Sequence, residues 1–347
     1  MEIEKAHKMT TMDYKPLIID ALEVMRKKEM MEKQPFRARA YATVIKQLTQ
    51  KEQPIHSFDD MHNIKGMGEK ITEKVKEILS TGQLQSAERI KTTHSVDVFQ
   101  TLQHIYGIGP AKARELLQSG IQSVEQLRAE VKKNSLLLND KQKVGLQYYE
   151  DLLQRIPREE MELHRAALPQ WLPDEMKAWE MEIVGSFRRG ASSSGDIDVL
   201  IRVPPATSST VAKRLLATYV ERMKQAGYIE EVLALGEHKC MAICRLKGHA
   251  RRLDLLLTPD EEYAYALLYF TGSDQFNVAF RNHAQQMGYT LNEHRLLPLT
   301  EDKQPPPPMK KEDDIFRFLG LRYISPNERV NKEQILKRNK PLVGKIV

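Results

Sequence analysis

A chain of 347 residues with 41% hydrophobic content is long enough to bury two or three modest cores, which excludes a wholly disordered protein. Its formal charge of +6 and pI near 9.0 are compatible with a polyanionic partner without requiring one. Two cysteines, no apolar run near the roughly 18 residues of a membrane span, and no signal-peptide pattern argue for a reducing intracellular compartment and against membrane insertion.

The first predicted elements are helices. Leu17, Ala21, Val24 and Met25, then Ala38, Tyr41, Ile45 and Leu48, recur at the three- and four-residue spacing of amphipathic helices. An internal repeat follows, with Ile64-Lys65-Gly66-Met67-Gly68 leading into ITEKVKEIL and Ile105-Tyr106-Gly107-Ile108-Gly109 leading into AKARELLQ. Each copy sets two glycines in a tight turn ahead of a helix. Glycine accepts positive φ there and leaves backbone N–H groups open to an anion such as a DNA phosphate. One G-x-G is an ordinary helix-to-helix turn, but two copies with the same leading Ile point to nucleic acid.

After Pro157 the pattern changes. EIVGSF, DIDVLIRV, KCMAICRL and RRLDLLLT are short, rich in Val, Ile and Leu, and predict strands of one sheet. VAKRLLATYVERMKQ and EEYAYALLYF predict helices between and after them, giving an α+β body. The prolines of QPPPP, from Gln304 to Pro308, predict an extended surface loop. From Ser325 onward, Lys332, Lys337, Arg338, Lys340 and Lys345 predict a solvated basic tail.

Asp196 and Asp198 stand at i and i+2 on an expected strand, so their side chains leave one face. Asp254 lies on another expected strand, and adjacency in the sheet would bring a third carboxylate to the same point. Such oxygen donors suit two Mg²⁺ ions, with Mn²⁺ able to substitute, in an in-line displacement, and Asp254 is placed to accept the proton of an attacking hydroxyl. A D-x-D alone is commonly a solvated strand end. Here Gly185-Ser186-Phe187-Arg188-Arg189-Gly190 and Ser192-Ser193-Ser194-Gly195 run straight into it, offering an anion cradle beside the carboxylates.

The run GSFRRGASSSGDIDVLI, with RRLDLLL, LYFTGSDQFN, RIPREEM, NEHRLLPL, DDIFRFLGLRYISP and both glycine hairpins, closely resembles the family X DNA polymerases, the beta type above all, over nearly the whole chain. The resemblance implies a helical 5′-deoxyribose-phosphate lyase-like domain with a helix-hairpin-helix over 1–92. A helical DNA-binding subdomain with a second hairpin follows over 93–155, then a catalytic palm built on a mixed nucleotidyltransferase sheet over 156–266, then a nucleotide-binding subdomain with the basic tail over 267–347. It implies a monomeric enzyme of base excision repair that fills gaps in gapped or nicked DNA carrying a 5′-phosphate, using dNTPs, with Na⁺ or K⁺ at the hairpin turns. The nucleus is the expected location in a eukaryote, and otherwise the cytoplasm or a virion.

By the same resemblance Asp196 and Asp198 hold both metals, and Asp254 holds the catalytic one. Arg155, Ser186, Arg189, Ser194 and Gly195 surround the triphosphate. Tyr269, Phe270 and Gly272 lie under the incoming sugar, which favours deoxynucleotides. Asp274, Asn277 and Arg281, one helical face at i, i+3 and i+7, meet the base pair and its minor groove, and Arg252 joins the DNA contacts. In the N-terminal region Lys74 is the Schiff-base lysine, with Lys70 as a neighbouring cation, and Arg37 and Tyr41 bind phosphate. Three positions depart from the beta type: Leu256 stands where it has an arginine beside the metals, Thr43 replaces a lysine, and Phe36 replaces a histidine. The loss at position 256 predicts an active enzyme with an altered conformational step.

Three other readings are open to the same residues. A template-independent nucleotidyltransferase shares the G-S and D-x-D signals, but Tyr269-Phe270 differs from the Gly-Trp of tailing members and the span from Cys244 to Arg251 is short. A non-catalytic DNA-end-binding protein would not need three aspartates. Zinc at His238, Cys240, Cys244 and His249 is disfavoured because two strand cysteines at that spacing lie roughly 13 Å apart.

Overall fold

The computed structural model describes residues 12–92, 95–331 and 334–335, so Lys332, Lys337, Arg338, Lys340 and Lys345 of the basic tail lie outside the described residues. The chain divides into two units, one up to Tyr149 and one from Glu150.

The first unit is helical: α1 (Lys15–Met31), α2 (Pro35–Gln50), α3 (Glu69–Thr81), α4 (Gln85–Thr92), α5 (Ser95–Gln103), α6 (Pro110–Gln118), α7 (Val124–Lys133) and α8 (Asp140–Gln147). Pro35 and Pro110 open their helices, where a fixed φ helps and a missing N–H costs nothing. Ser123 caps α7 by accepting a hydrogen bond from the Gln126 N–H. The apolar stripes meet in two cores. One holds Ile18, Leu22, Val44, Leu48, Val75 and Ile78, and the other Phe99, Leu102, Leu116, Leu127 and Leu146. Each such side chain contributes about 1.5–3 kcal/mol by leaving water.

The two glycine repeats fold alike. Gly66 (φ 86°) and Gly107 (φ 83°) take the left-handed turn, while Gly68 and Gly109 are extended and cap α3 and α6. No atom lies within 4 Å of a Cβ built on either capping glycine, so their backbone faces open space. Each turn is braced by a glutamine amide from behind. Gln47 accepts from the Lys65 N–H (2.9 Å) and donates to the Lys65 carbonyl (2.7 Å). Gln142 donates to the Gly107 carbonyl (3.1 Å).

The second unit starts with α9 (Tyr149–Leu153), which straddles the division, and then β1 (Ile156–Pro157), α10 (Arg158–Ala167), β2 (Met181–Ile183), α11 (Gly185–Arg188) and β3 (Ser193–Ser194). There follow β4 (Ile197–Val203), α12 (Ser209–Gln225), β5 (Ile229–Leu235), β6 (Lys239–Cys244) and β7 (Arg251–Pro259). The last part holds α13 (Tyr263–Thr271), α14 (Asp274–Gln286), the hairpin β8 (Tyr289–Leu291) and β9 (Leu296–Pro298), and α15 (Glu312–Phe318). Five strands form a mixed sheet in the order β2-β4-β7-β6-β5, with β4 and β7 parallel and the other neighbours antiparallel. The fold is α+β, as the sequence implied.

Local details differ from expectation. The GSF of EIVGSF is not strand: Gly185 takes φ 63° and the chain turns into α11. Asp196 sits one residue ahead of β4 rather than within it. Strand β5, IEEVLAL, was not anticipated, since its paired acids and partly exposed edge position hide the alternation. QPPPP forms neither helix nor strand.

Alternation decides what the sheet presents on each face. Ile197, Val199, Ile201 and Val203, Leu253, Leu255 and Leu257, and Cys240, Ala242 and Cys244 all enter one core against Leu215, Leu216 and Tyr219 of α12. Side chains with period two must then put Asp198 and Asp254 on the other face. Further along that face Leu200 and Leu256 pack with Val184, Tyr263 and Ala266. A separate core around Phe276, Phe280 and Phe316 supports α14 and α15.

Candidate active site

Parallel pairing sets Asp198 directly opposite Asp254 in the register of β4 and β7. Asp254 is only 5% exposed, and Asp198 is half-buried. Burial first, then the negative charges of Asp196 and Asp254, push the Asp198 carboxyl up to about 7. Two cations sit among these acids. Arg252 places its guanidinium 3.2 Å from Asp196 and 3.8 Å from Asp254, and the Lys239 Nζ is 2.8 Å from Asp254 Oδ2. Among the described residues no three His, Cys, Asp or Glu side chains are already gathered closely enough to hold a metal ion. Arg252 and Lys239 instead occupy carboxylate oxygens of Asp196 and Asp254. The donor set is nonetheless that of hard divalent cations, and a half-buried Asp198 crowded by two like charges is a position that a cation would relieve, so these residues fit such a site.

Beside the acids lies the cradle. Ser186 donates to the Ser194 hydroxyl (3.0 Å), and a Cβ on Gly185 would come within 3.4 Å of Asp198 Oδ2. Arg155 is tied to Ser193 through its hydroxyl (2.8 Å) and carbonyl (2.7 Å), with one guanidinium nitrogen 4.0 Å from where a Cβ of Gly195 would sit. Arg189 donates to the Thr271 carbonyl (2.6 Å) and lies against Gly272, where a Cβ would meet it at 3.2 Å. Thus Arg155, Ser186, Arg189, Ser194, Gly195 and Gly272 form one polar wall. Tyr269 and Phe270 meet edge to face at 5.2 Å. Asn277 donates to the Tyr269 carbonyl (2.7 Å), Arg281 donates to the Leu291 carbonyl (2.8 Å), and both line a pocket with Tyr265, Phe280 and Asn292. Asp274 opens α14.

Several partners were not legible in the sequence. Arg188 donates to the Thr271 hydroxyl (2.8 Å) and forks onto Glu312, which also receives the fully buried Arg329. This pins α11 to α13 and α15, but the partners are far apart in sequence and no spacing betrays them. Lys239 was missed for a related reason, because cross-strand register, not sequence, sets it beside Asp254. Leu256 is 9% exposed and lies opposite Lys239, so β6 adds a cation near the acids beside Arg252 of β7.

In the first unit, Lys74 and Lys70 share α3, where the Lys74 amine donates to the Lys70 carbonyl (3.3 Å). Arg37 and Tyr41 share α2. Arg37 lies 3.8 Å from Glu29, and Tyr41 is buried with its hydroxyl pKa raised by burial and then by the Glu29 charge. The Thr43 methyl lies 3.4 Å from where a Cβ of Gly66 would be, and Phe36 is 85% exposed. Cys240 and Cys244 are free and buried in β6, while His249 pairs with Asp151 (2.8 Å).

The helix-hairpin-helix domain family matches residues 13–84, the fingers domain of DNA polymerase lambda residues 100–153, the DNA polymerase beta palm residues 155–260, and the DNA polymerase beta thumb residues 266–330. A DNA polymerase lambda of Rattus norvegicus is 33% identical over 91% of this chain and 56% of its own length. A DNA polymerase lambda of Arabidopsis thaliana is 28% identical over 79% of this chain and 54% of its own. The chain spans about half the length of the curated relatives it matches.

Proposed function

Because the chain belongs to the family X DNA polymerases, we propose that it is a template-directed, gap-filling DNA polymerase of base excision repair that adds dNTPs to a primer 3′-hydroxyl. The observation that carries this reading is the parallel pairing that sets Asp198 opposite Asp254 beside the Ser186–Arg189 cradle. Asp196 and Asp198 would hold both of two Mg²⁺ ions and Asp254 the catalytic one. Bound there, the ions stabilise charge on the attacking and departing oxygens of an in-line displacement.

The chain's own groups do the rest. Arg155 and Arg189 are anchored by Ser193 and Thr271, so they meet a triphosphate already oriented and lose little freedom on binding. The Ser186 and Ser194 hydroxyls add donors to its oxygens. Tyr269, Phe270 and Gly272 bring backbone close to the sugar, leaving no room for a ribose hydroxyl. Asn277 and Arg281 are held by the Tyr269 and Leu291 carbonyls, and their remaining donors would meet the minor-groove edge of the base pair. Asp254 accepts the proton of the primer hydroxyl. Gly66–Gly68 and Gly107–Gly109 bind DNA phosphates, with Na⁺ or K⁺ at the turns, Lys74 attacks an abasic sugar as an amine beside Lys70, and Arg37 and Tyr41 of α2 bind phosphate.

Template dependence is supported by the connection from β6 to β7. Arg245 in that short loop pairs with Glu230, and Asp151 holds both His249 and the Ala250 N–H. Pinned at both ends, it has no length with which to replace a template strand. Among the described residues no helix is long and apolar enough to cross a membrane. The test compares dNTP incorporation on one-nucleotide gapped DNA carrying a 5′-phosphate with that on an open primer-template and on single-stranded primer. Preference for the gap is expected, and equal extension of the single strand would overturn template direction.

A further inference from the structure

We propose that Lys239 is a resident counter-cation of the site, neutralising Asp254 in the metal-free protein and being displaced from it when a divalent ion binds. The inference rests on the reading of the aspartate trio as metal ligands and adds a residue to it.

The argument starts from register. Lys239 on β6 lies opposite Leu256 on β7, and Asp254 is two residues back along the same face. A lysine stem laid along the flat Leu256 side therefore delivers its ammonium diagonally to Asp254, and the 2.8 Å separation from Oδ2 is that of a full charge-assisted hydrogen bond. Alternation forbids the outcome from being incidental to one rotamer, because Cys240 and Ala242 enter the core and fix Lys239 and Met241 on the carboxylate face. Without a cation this face gathers Asp196, Asp198 and Asp254, with Asp254 nearly sealed from water. Arg252 reaches Asp196 more closely than Asp254, at 3.2 against 3.8 Å, so Lys239 is the nearer partner of Asp254.

An ammonium and a divalent ion compete for the same oxygen. Mg²⁺ demands ligand oxygens at about 2.1 Å in octahedral geometry, and a second cation within hydrogen-bond distance of that oxygen is repelled. Lys239 has somewhere to go, since its side chain is 43% exposed and its stem flexible. Metal entry is therefore an exchange of cations: before loading Lys239 balances the Asp254 charge, and the strength of that ion pair is subtracted from metal affinity.

The test is a Mn²⁺ titration of the full chain without DNA or nucleotide, following free Mn²⁺ by electron paramagnetic resonance, on wild type, Lys239→Met, Lys239→Arg and Asp254→Asn. Lys239→Met keeps the apolar stem and is expected to tighten Mn²⁺ binding by roughly two- to fivefold, the range a half-exposed ion pair supports. It should also lower the melting temperature in EDTA but not at saturating Mn²⁺. Lys239→Arg should bind like wild type. Unchanged affinity in Lys239→Met, with the site lost in Asp254→Asn, would overturn the counter-cation and leave the metal site standing. Undiminished Mn²⁺ binding in Asp254→Asn would overturn the site itself and the inference with it.

Discussion

Asp198 is held where its charge is unwelcome, and this has a measurable sign. Its carboxyl titrates near 7 in the folded chain against an ordinary value near 3.8, so the folded state holds the proton more tightly than the unfolded one. Ionisation of this group therefore costs stability that is absent below pH 4 and complete above pH 7. Asp198→Asn should melt at the same temperature as wild type at pH 4 and at a higher one at pH 8 in EDTA, with the gap narrowing when Mg²⁺ is added. A gap that is independent of pH would contradict the electrostatic cause. The D-x-D was readable from the sequence because a strand's period of two is a local rule, and the 185–195 part of the cradle because it runs directly into the acids, whereas Arg155 was implied by the resemblance alone. Lys239, Glu312 and Arg329 were not, since each acts through a partner chosen by tertiary register.

At the scale of elements, the helices and the sheet were legible wherever one face is buried, and illegible where it is not. Strand β5 escaped notice because Glu230, Glu231, Val232 and Leu235 all retain solvent exposure at its edge, and α11 because a single left-handed glycine ends β2 early. Close approaches between elements give two predictions. A Cβ on Gly145 of α8 would lie 2.0 Å from the Tyr106 carbonyl, so Gly145→Ala must push α8 off the second hairpin. We expect a loss of about 3 kcal/mol in urea unfolding, with weaker DNA binding; a fully stable variant would show the helix free to shift. Leu256→Arg puts a cation into the apolar cluster with Val184, Leu200 and Tyr263. It should cost about 2 kcal/mol and change the pre-steady-state rate of nucleotide incorporation. A variant with wild-type stability and every rate untouched would refute the role given to this position.

For the molecule as a whole, two chemistries are assigned to two separately packed units, and they should separate by mutation. Lys74→Ala is expected to abolish borohydride trapping on a nicked abasic site while leaving nucleotide addition to an open primer-template intact. Asp254→Asn should do the reverse, lowering addition by about 10²–10⁴-fold while trapping persists. Failure of the wild-type protein to trap would remove the lyase assignment and leave the polymerase assignment untouched. Parallel strands cannot be joined by a hairpin, so β4 waits for α12, β5 and β6 to emerge before β7 can settle beside it. During translation, a nascent chain still lacking β7 has two of the acids but neither the third nor the Thr271 and Gly272 side of the wall on which Arg189 is anchored. An incomplete product released early from the ribosome would thus carry Asp196 and Asp198 with no partner strand to complete the site.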